Sequence, residues 1–162
     1  MNQNHIRQAI PEDTKALTQL LISCADAMSQ QGMHHWQGVY TEDAVSQNLL
    51  NKHVYVLEVN DHIVGCIALG TEAAPYYQDC WPDAPAADYY ITQLAVSPDA
   101  QGMGYGKTLM QFCIDKIGNA RLQLDAVDHY PALVNFYRQL GFDIIATGIG
   151  LGDKRHLFLY IH

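Results

Sequence analysis

Leu94-Ala95-Val96-Ser97-Pro98-Asp99-Ala100-Gln101-Gly102-Met103-Gly104-Tyr105-Gly106-Lys107 is the stretch on which the fold turns. Its first residues close the run Tyr89 to Val96, which reads as a mostly buried strand. Its last residues open a segment whose Leu109, Met110, Cys113, Ile114 and Ile117 share one helical face. Between them Gln101 to Gly106 places glycine at three alternate positions. Glycine enters the left-handed backbone region without a Cβ penalty, so such a turn curls tightly and lets a ligand approach the backbone. The helix behind it offers amides with no intrahelical acceptor and the positive end of a dipole, a natural seat for phosphate.

The spacing departs from the two commonest phosphate loops. A P-loop needs four residues between its glycines before Lys and Ser/Thr, and Gly102, Gly106, Lys107 and Thr108 leave one too few. A dinucleotide fingerprint needs a third glycine at position 107, and it belongs beside the first strand of its unit rather than past the middle of the chain. A glycine turn that binds nothing stays open on spacing alone.

Outward from this turn, Ile6 to Ile10 reads as an opening strand, and Pro11-Glu12-Asp13 marks the start of a helix. Leu17, Leu20, Leu21, Cys24 and Met28 form its apolar stripe, which ends by Gly32. Residues Met33 to Tyr40 form a link, and Thr41 caps a second helix running to Leu50. Strands Val54 to Val59 and Ile63 to Leu69 follow, joined by the turn Asn60-Asp61-His62. The periodic pattern breaks from Thr71 to Asp88, where Pro75, Pro82 and Pro85 stand among Tyr76, Tyr77 and Trp81. Those aromatic residues either wall a binding site or anchor a long loop. Beyond the glycine turn and its helix come strand Arg121 to Val127, helix Pro131 to Leu140, and strands Phe142 to Thr147 and His156 to Ile161. The order predicts an α/β (α+β) fold: a central mixed, mostly antiparallel twisted sheet with one parallel strand pair, flanked by about four helices.

The chain has 162 residues, enough to bury a core without metal or disulfide staples, and reads as one domain over 1–162. Seventeen acidic residues against nine basic ones give a net charge of −8 with no cationic cluster, which argues against nucleic acid and anionic membrane as partners. Cys24, Cys66, Cys80 and Cys113 are scattered without a C-x-x-C pair and suit a reducing cytoplasm. Met1 to His5 has no leader pattern, and no run reaches the 18 or so apolar residues of a spanning helix. His34-His35 lacks a second cluster with which to bind a metal, so no metal is expected.

Gln101-Gly102-Met103-Gly104-Tyr105-Gly106 resembles the Q/R-x-x-G-x-G/A signature of the GNAT superfamily of N-acetyltransferases. Asn135-Phe136-Tyr137-Arg138-Gln139-Leu140-Gly141-Phe142 is similar to the family's tyrosine helix with its terminal Leu-Gly-Phe. The two motifs lie about the right distance apart, and the element order agrees along nearly the whole chain. The resemblance implies a GNAT fold and acetyl-CoA as donor. Gln101, Gly102, Met103, Gly104, Tyr105, Gly106 and Lys107 would form the pyrophosphate turn, and Leu94, Ala95 and Val96 would face the pantetheine arm. It also implies Tyr137 as general acid and a backbone amide near Val96 as donor to the thioester carbonyl. Taken without the motif, Tyr137 shares an apolar helical stripe with Leu133 and Leu140 and reads as core. Where many members carry an asparagine on the cofactor arm this chain has Tyr130, which would pack there instead.

Acetyl transfer needs a neutral amine, and one of pKa near 10.4 is only about one part in a few thousand neutral at pH 7, a cost of roughly 4 to 5 kcal/mol. No glutamate stands on the central strand where some members have one; Tyr90, preceded by Asp88, occupies that region. Asp125 and His129 are further candidates for the base, and water-mediated removal of the proton needs no side chain at all. Trp36, in the link between the first two helices, is a candidate for the acceptor wall. The expected acceptor is the primary amine of a small molecule, cationic or aromatic. A protein amino group, or an acyl-CoA-binding module without transfer activity, is the alternative; association as a homodimer is left open.

Overall fold

The computed structural model describes residues 4–162. Of the N-terminal stretch read for a leader, Met1 to Gln3 lie outside the described residues. Strand β1 (Asn4–Gln8) ends two residues earlier than expected, and Pro11–Asp13 forms a single 3-10 turn from which α1 (Thr14–Gln30) continues. The Asp13 carboxylate explains the junction: it accepts the Ile10 amide at 2.8 Å and pairs with the Arg7 guanidinium at 2.8 Å. Arg7 holds that carboxyl below its usual range by hydrogen bonding, outweighing the desolvation that opposes it.

Helix α2 (Glu42–Asn51) starts where its cap residue predicts, with Thr41 Oγ1 accepting the Ala44 amide at 3.2 Å. Strands β2 (His53–Val59) and β3 (His62–Gly70) form the expected antiparallel hairpin, and both turn residues, Asn60 and Asp61, have positive φ (51° and 66°). The segment after β3 contains a one-turn helix, α3 (Tyr77–Cys80), that periodicity did not show because it spans four residues. Then follow β4 (Tyr89–Val96), α4 (Tyr105–Ile117), β5 (Leu122–Val127), α5 (Pro131–Gln139), β6 (Phe142–Gly150) and β7 (Asp153–Tyr160).

The described residues thus contain seven strands and five α-helices: the four long helices expected and α3. Strand β4 pairs in parallel with β5, Tyr89 opposite Leu122 and Tyr90 opposite Gln123, as the strand-helix-strand order required. The β1/β2, β2/β3, β5/β7 and β6/β7 pairs are antiparallel. The mixed, mostly antiparallel fold class is therefore present.

The chain divides into two compact units, one holding the residues up to Leu69 with Thr92–Phe112, the other Gly70–Ile91 with Cys113–His162. In the first the strand order is β1-β2-β3-β4, and its core gathers Leu17, Leu21 and Cys24 of α1 with Val54, Val56 and Cys66. In the second the order is β4-β5-β7-β6, and Tyr77, Trp81, Tyr90 and Leu157 pack together. Both terminal strands run past their expected inner ends, meeting at Leu151-Gly152. Gly148 and Gly150 lie within β6 because α3 crosses it there: a Cβ on Gly148 would overlap the Cys80 carbonyl, and one on Gly150 the Cys80 sulfur. All four cysteines are buried free thiols. Among the described residues no helix is long and apolar enough to cross a membrane.

Candidate active site

In the first unit, β4 is bent at Gln93, whose φ of +58° is left-handed although it is not glycine. The bend lets two successive residues meet one helix. Asn48 Nδ2 donates to Gln93 Oε1 at 2.8 Å, and one helical turn later Lys52 Nζ donates to Thr92 Oγ1 at 3.1 Å. The Gln93 carbonyl accepts the Cys66 thiol at 3.4 Å, so this buried polar residue is held from both ends. Burial pushes the Cys66 thiol up to about 12 and keeps it protonated as donor.

Past the bend, Ala95 is buried in the core while Leu94 and Val96 are half-buried. The Val96 carbonyl is already engaged, accepting the Cys24 thiol at 3.2 Å and Gln101 Nε2 at 3.3 Å. Gln101 therefore folds back as a brace on the strand end. The glycine turn then uses positive φ at Gly102 (+83°) and Gly104 (+80°), and a Cβ at either would meet nothing within 4 Å. Glycine is required there for the backbone angle, not for room. The Gly104 carbonyl closes the first turn of α4 by accepting both the amide and the hydroxyl of Thr108, at 3.1 and 3.0 Å. The amides of Tyr105, Gly106 and Lys107 fall in the first turn of α4, where no intrahelical acceptor exists. Lys107 and Met103 are exposed beside them, and Tyr105 is buried. These donors suit a diphosphate.

In the second unit, α5 buries Tyr137 against Phe136, Phe142 and Phe158, with ring centroids 5.3, 6.1 and 5.4 Å away. Burial first, and the Asp125 charge second, raise the phenol above its ordinary value, so it carries its proton at neutral pH. Tyr130 stands at the cap of α5 and its carbonyl accepts the Leu133 amide at 3.0 Å; its ring meets that of exposed His129 edge-on at 6.2 Å.

Asp125, one of the candidate bases, has a nearly buried side chain held in a structural network. It pairs with Arg155 Nη1 at 3.1 Å and accepts the hydroxyls of Tyr77 at 2.7 Å and Tyr76 at 3.0 Å. Both of its oxygens are engaged by these donors and its charge faces the Arg155 guanidinium. Tyr90 is also buried, its hydroxyl accepting the Ala87 amide at 2.8 Å, and Asp88 accepts the Arg121 amide at 2.8 Å. Both hold the 71–88 segment to the sheet. Of the two roles open to Tyr76, Tyr77 and Trp81, the geometry is that of anchors: Tyr77 and Trp81 are buried, and Arg155 lies 5.1 Å over the Tyr76 ring. Trp36 packs on the core of the first unit and stacks edge-on with Tyr40 at 5.1 Å. No group of three metal-ligating side chains occurs among the described residues.

Five residues escaped the sequence. Arg155 precedes the expected start of the last strand, and Asn48 and Lys52 are ordinary polar positions on an amphipathic helix. His156 joins the Asp128 carboxylate through Nε2 and Thr147 Oγ1 through Nδ1, the latter at 2.8 Å. Gln93 alone left a signal, a long amide inside an otherwise apolar strand.

The sequence profile of the acetyltransferase (GNAT) domain matches residues 50–144, a span that includes the glycine turn and Tyr137. An uncharacterized N-acetyltransferase of Bacillus subtilis, YesJ, is 26% identical over 156 residues, covering 90% of this chain and 87% of that one. A GNAT-family acetyltransferase of Streptococcus agalactiae superposes with a TM-score of 0.85 at 17% identity, covering 98% of this chain and 95% of the other. The PaiA N-acetyltransferase of Thermoplasma acidophilum, solved in complex with coenzyme A, gives a TM-score of 0.72 at 14% identity over 99% of both chains.

Proposed function

The chain belongs to the GNAT acetyltransferase family, and from that premise we propose that it is a single N-acetyltransferase domain that moves an acetyl group from acetyl-CoA to the primary amine of a small molecule. The glycine turn carries this reading: positive φ at Gly102 and Gly104 leads the chain from the end of β4 into α4, whose first-turn amides have no intrahelical acceptor and suit a diphosphate. A coenzyme A complex of a protein with this fold supports it.

Acetyl-CoA, when bound, supplies an acetyl group activated as a thioester. The amides of Tyr105, Gly106 and Lys107, with the Lys107 ammonium, hold its pyrophosphate, and Gln101 keeps the turn against the end of β4. The run Leu94 to Val96 receives the pantetheine arm through its main chain, so side-chain identity matters little there. Tyr137, kept neutral by burial, provides the proton for the departing thiolate. With Asp125 and Tyr90 committed to structural hydrogen bonds, the amine loses its proton to water.

Calorimetry with acetyl-CoA and a screen of amines by CoA release test this together. Tyr137→Phe should lower kcat by about 10²-fold or more, the usual scale for a general acid, with acetyl-CoA affinity changed less than about twofold. Equal turnover at saturating substrates removes the acid role, and absence of acetyl-CoA binding removes the donor.

A further inference from the structure

Lys52 stands apart among the cations of the first unit. Arg7 is paired with Asp13 and Glu58, Lys15 and Lys107 are exposed to solvent, and Lys52, which is not, makes no ion pair among the described residues. Its partner is neutral, the Thr92 hydroxyl at 3.1 Å, and its side chain is half-buried. Burial also pulls its ammonium below the ordinary lysine value. A partly desolvated cation without a counter-charge is costly, and in a chain of net charge −8 a carboxylate could have been placed beside it.

Its position gives the vacancy a purpose. Thr92 and Gln93 stand at the bend of β4, immediately before Leu94 to Val96, the run assigned to the donor arm. Asn48 and Lys52, one turn apart on α2 and its C-terminal cap, reach those two residues, so a cation and an amide are fixed at the upstream end of the donor strand. With the pyrophosphate on the turn that follows Val96, the arm runs back along Leu94 to Val96, and its acetyl end, where the acceptor must meet it, comes toward Gln93. The hydrogen bond to Thr92 holds Nζ in place and leaves two of its three N–H groups to donate.

We propose that the acceptor amine carries a carboxylate, and that Lys52 is the specificity-determining residue that binds it. This rests on the acetyl-CoA reading above. The acceptor is then an amino acid or a related amino carboxylate, whose anionic end seats on Lys52 while its amine faces the thioester.

The test compares β-alanine with ethylamine, L-phenylalanine with phenethylamine, and L-lysine with cadaverine, each amine being its partner without the carboxyl group. In the wild-type protein at least one carboxylated member is preferred by about tenfold or more in kcat/KM, through KM, the effect of one charge-assisted hydrogen bond. Lys52→Gln brings that ratio to about one, and Lys52→Arg keeps a preference. Lys15→Gln, which removes an exposed charge on α1, leaves the ratio as it was. If Lys52 only tied α2 to β4, Lys52→Gln would raise KM for both members of a pair alike and the ratio would persist, overturning the proposal. Absence of any carboxylate preference in the wild type overturns it too. Calorimetry with acetyl-CoA on the same samples separates the causes: binding without the predicted ratio defeats this proposal alone, and no binding defeats the donor reading with it.

Discussion

Replacing Arg155 with methionine would separate a structural Asp125 from a catalytic one. Arg155 and Asp125 are nearly buried, their side chains 9% and 7% exposed, and joined at 3.1 Å. Arg155 Nε also donates to the Gly150 carbonyl at 2.8 Å, fixing the end of β6. Arg155→Met leaves the carboxylate with two tyrosine hydroxyls and no cation. Removing one partner of a buried pair typically costs about 3 to 5 kcal/mol, because the other charge stays buried and uncompensated. For a chain of this length that is a fall in Tm of roughly 6 to 20 °C. Asp125→Asn should cost a similar amount by stranding the guanidinium. The double variant removes both charges and keeps an amide oxygen for Tyr76 and Tyr77, so it should recover to within about 2 kcal/mol of wild type. Urea unfolding followed by circular dichroism measures all four proteins, and kcat is read on the same samples. If Asp125 is structural, activity returns with stability in the double variant. Loss below about 1 kcal/mol for Arg155→Met, or a double variant that loses the sum of the singles, refutes the buried-pair reasoning. Recovered stability with kcat still depressed would restore Asp125 as a base.

Gly104→Ala should cost about 1 to 2 kcal/mol, because its φ of +80° is left-handed although a Cβ there meets nothing; acetyl-CoA affinity measured by calorimetry should fall with it. The four buried thiols, of which burial raises Cys24 to about 11 and Cys66 and Cys113 to about 12, should resist an aromatic disulfide reagent at pH 8 in the folded protein and all react in denaturant. Asp13 titrates below the ordinary carboxyl value of 3.8 when folded, so its contribution is present above that value and lost as pH falls through the depressed one. Acid unfolding monitored by fluorescence should accordingly lose part of its steepness below about pH 4 in Asp13→Asn.

The glycine turn and the tyrosine helix were readable because each depends on local chemistry. Gly102 and Gly104 answer to φ, and Pro131 and the stripe ending at Leu140 answer to helix geometry, all within a few residues. The hairpin at Asn60-Asp61 was readable for the same reason. The 71–88 segment was not: its proline content announced a loop, while the partners that order it, Asp125 and Arg155, lie far along the chain on β5 and β7. Asp125 stood among the candidate bases because nothing in its neighbourhood in sequence shows the cation it meets.

The sequence alone therefore determined the order and type of the long elements, the parallel β4/β5 pair and the glycine turn, since periodicity, capping and backbone angle are properties of neighbouring residues. Tertiary structure decided which polar groups remain available. A carboxylate is a base or a strut according to what is packed against it, and only folding brings Arg155 to Asp125 or leaves Lys52 facing a hydroxyl at the bend of β4.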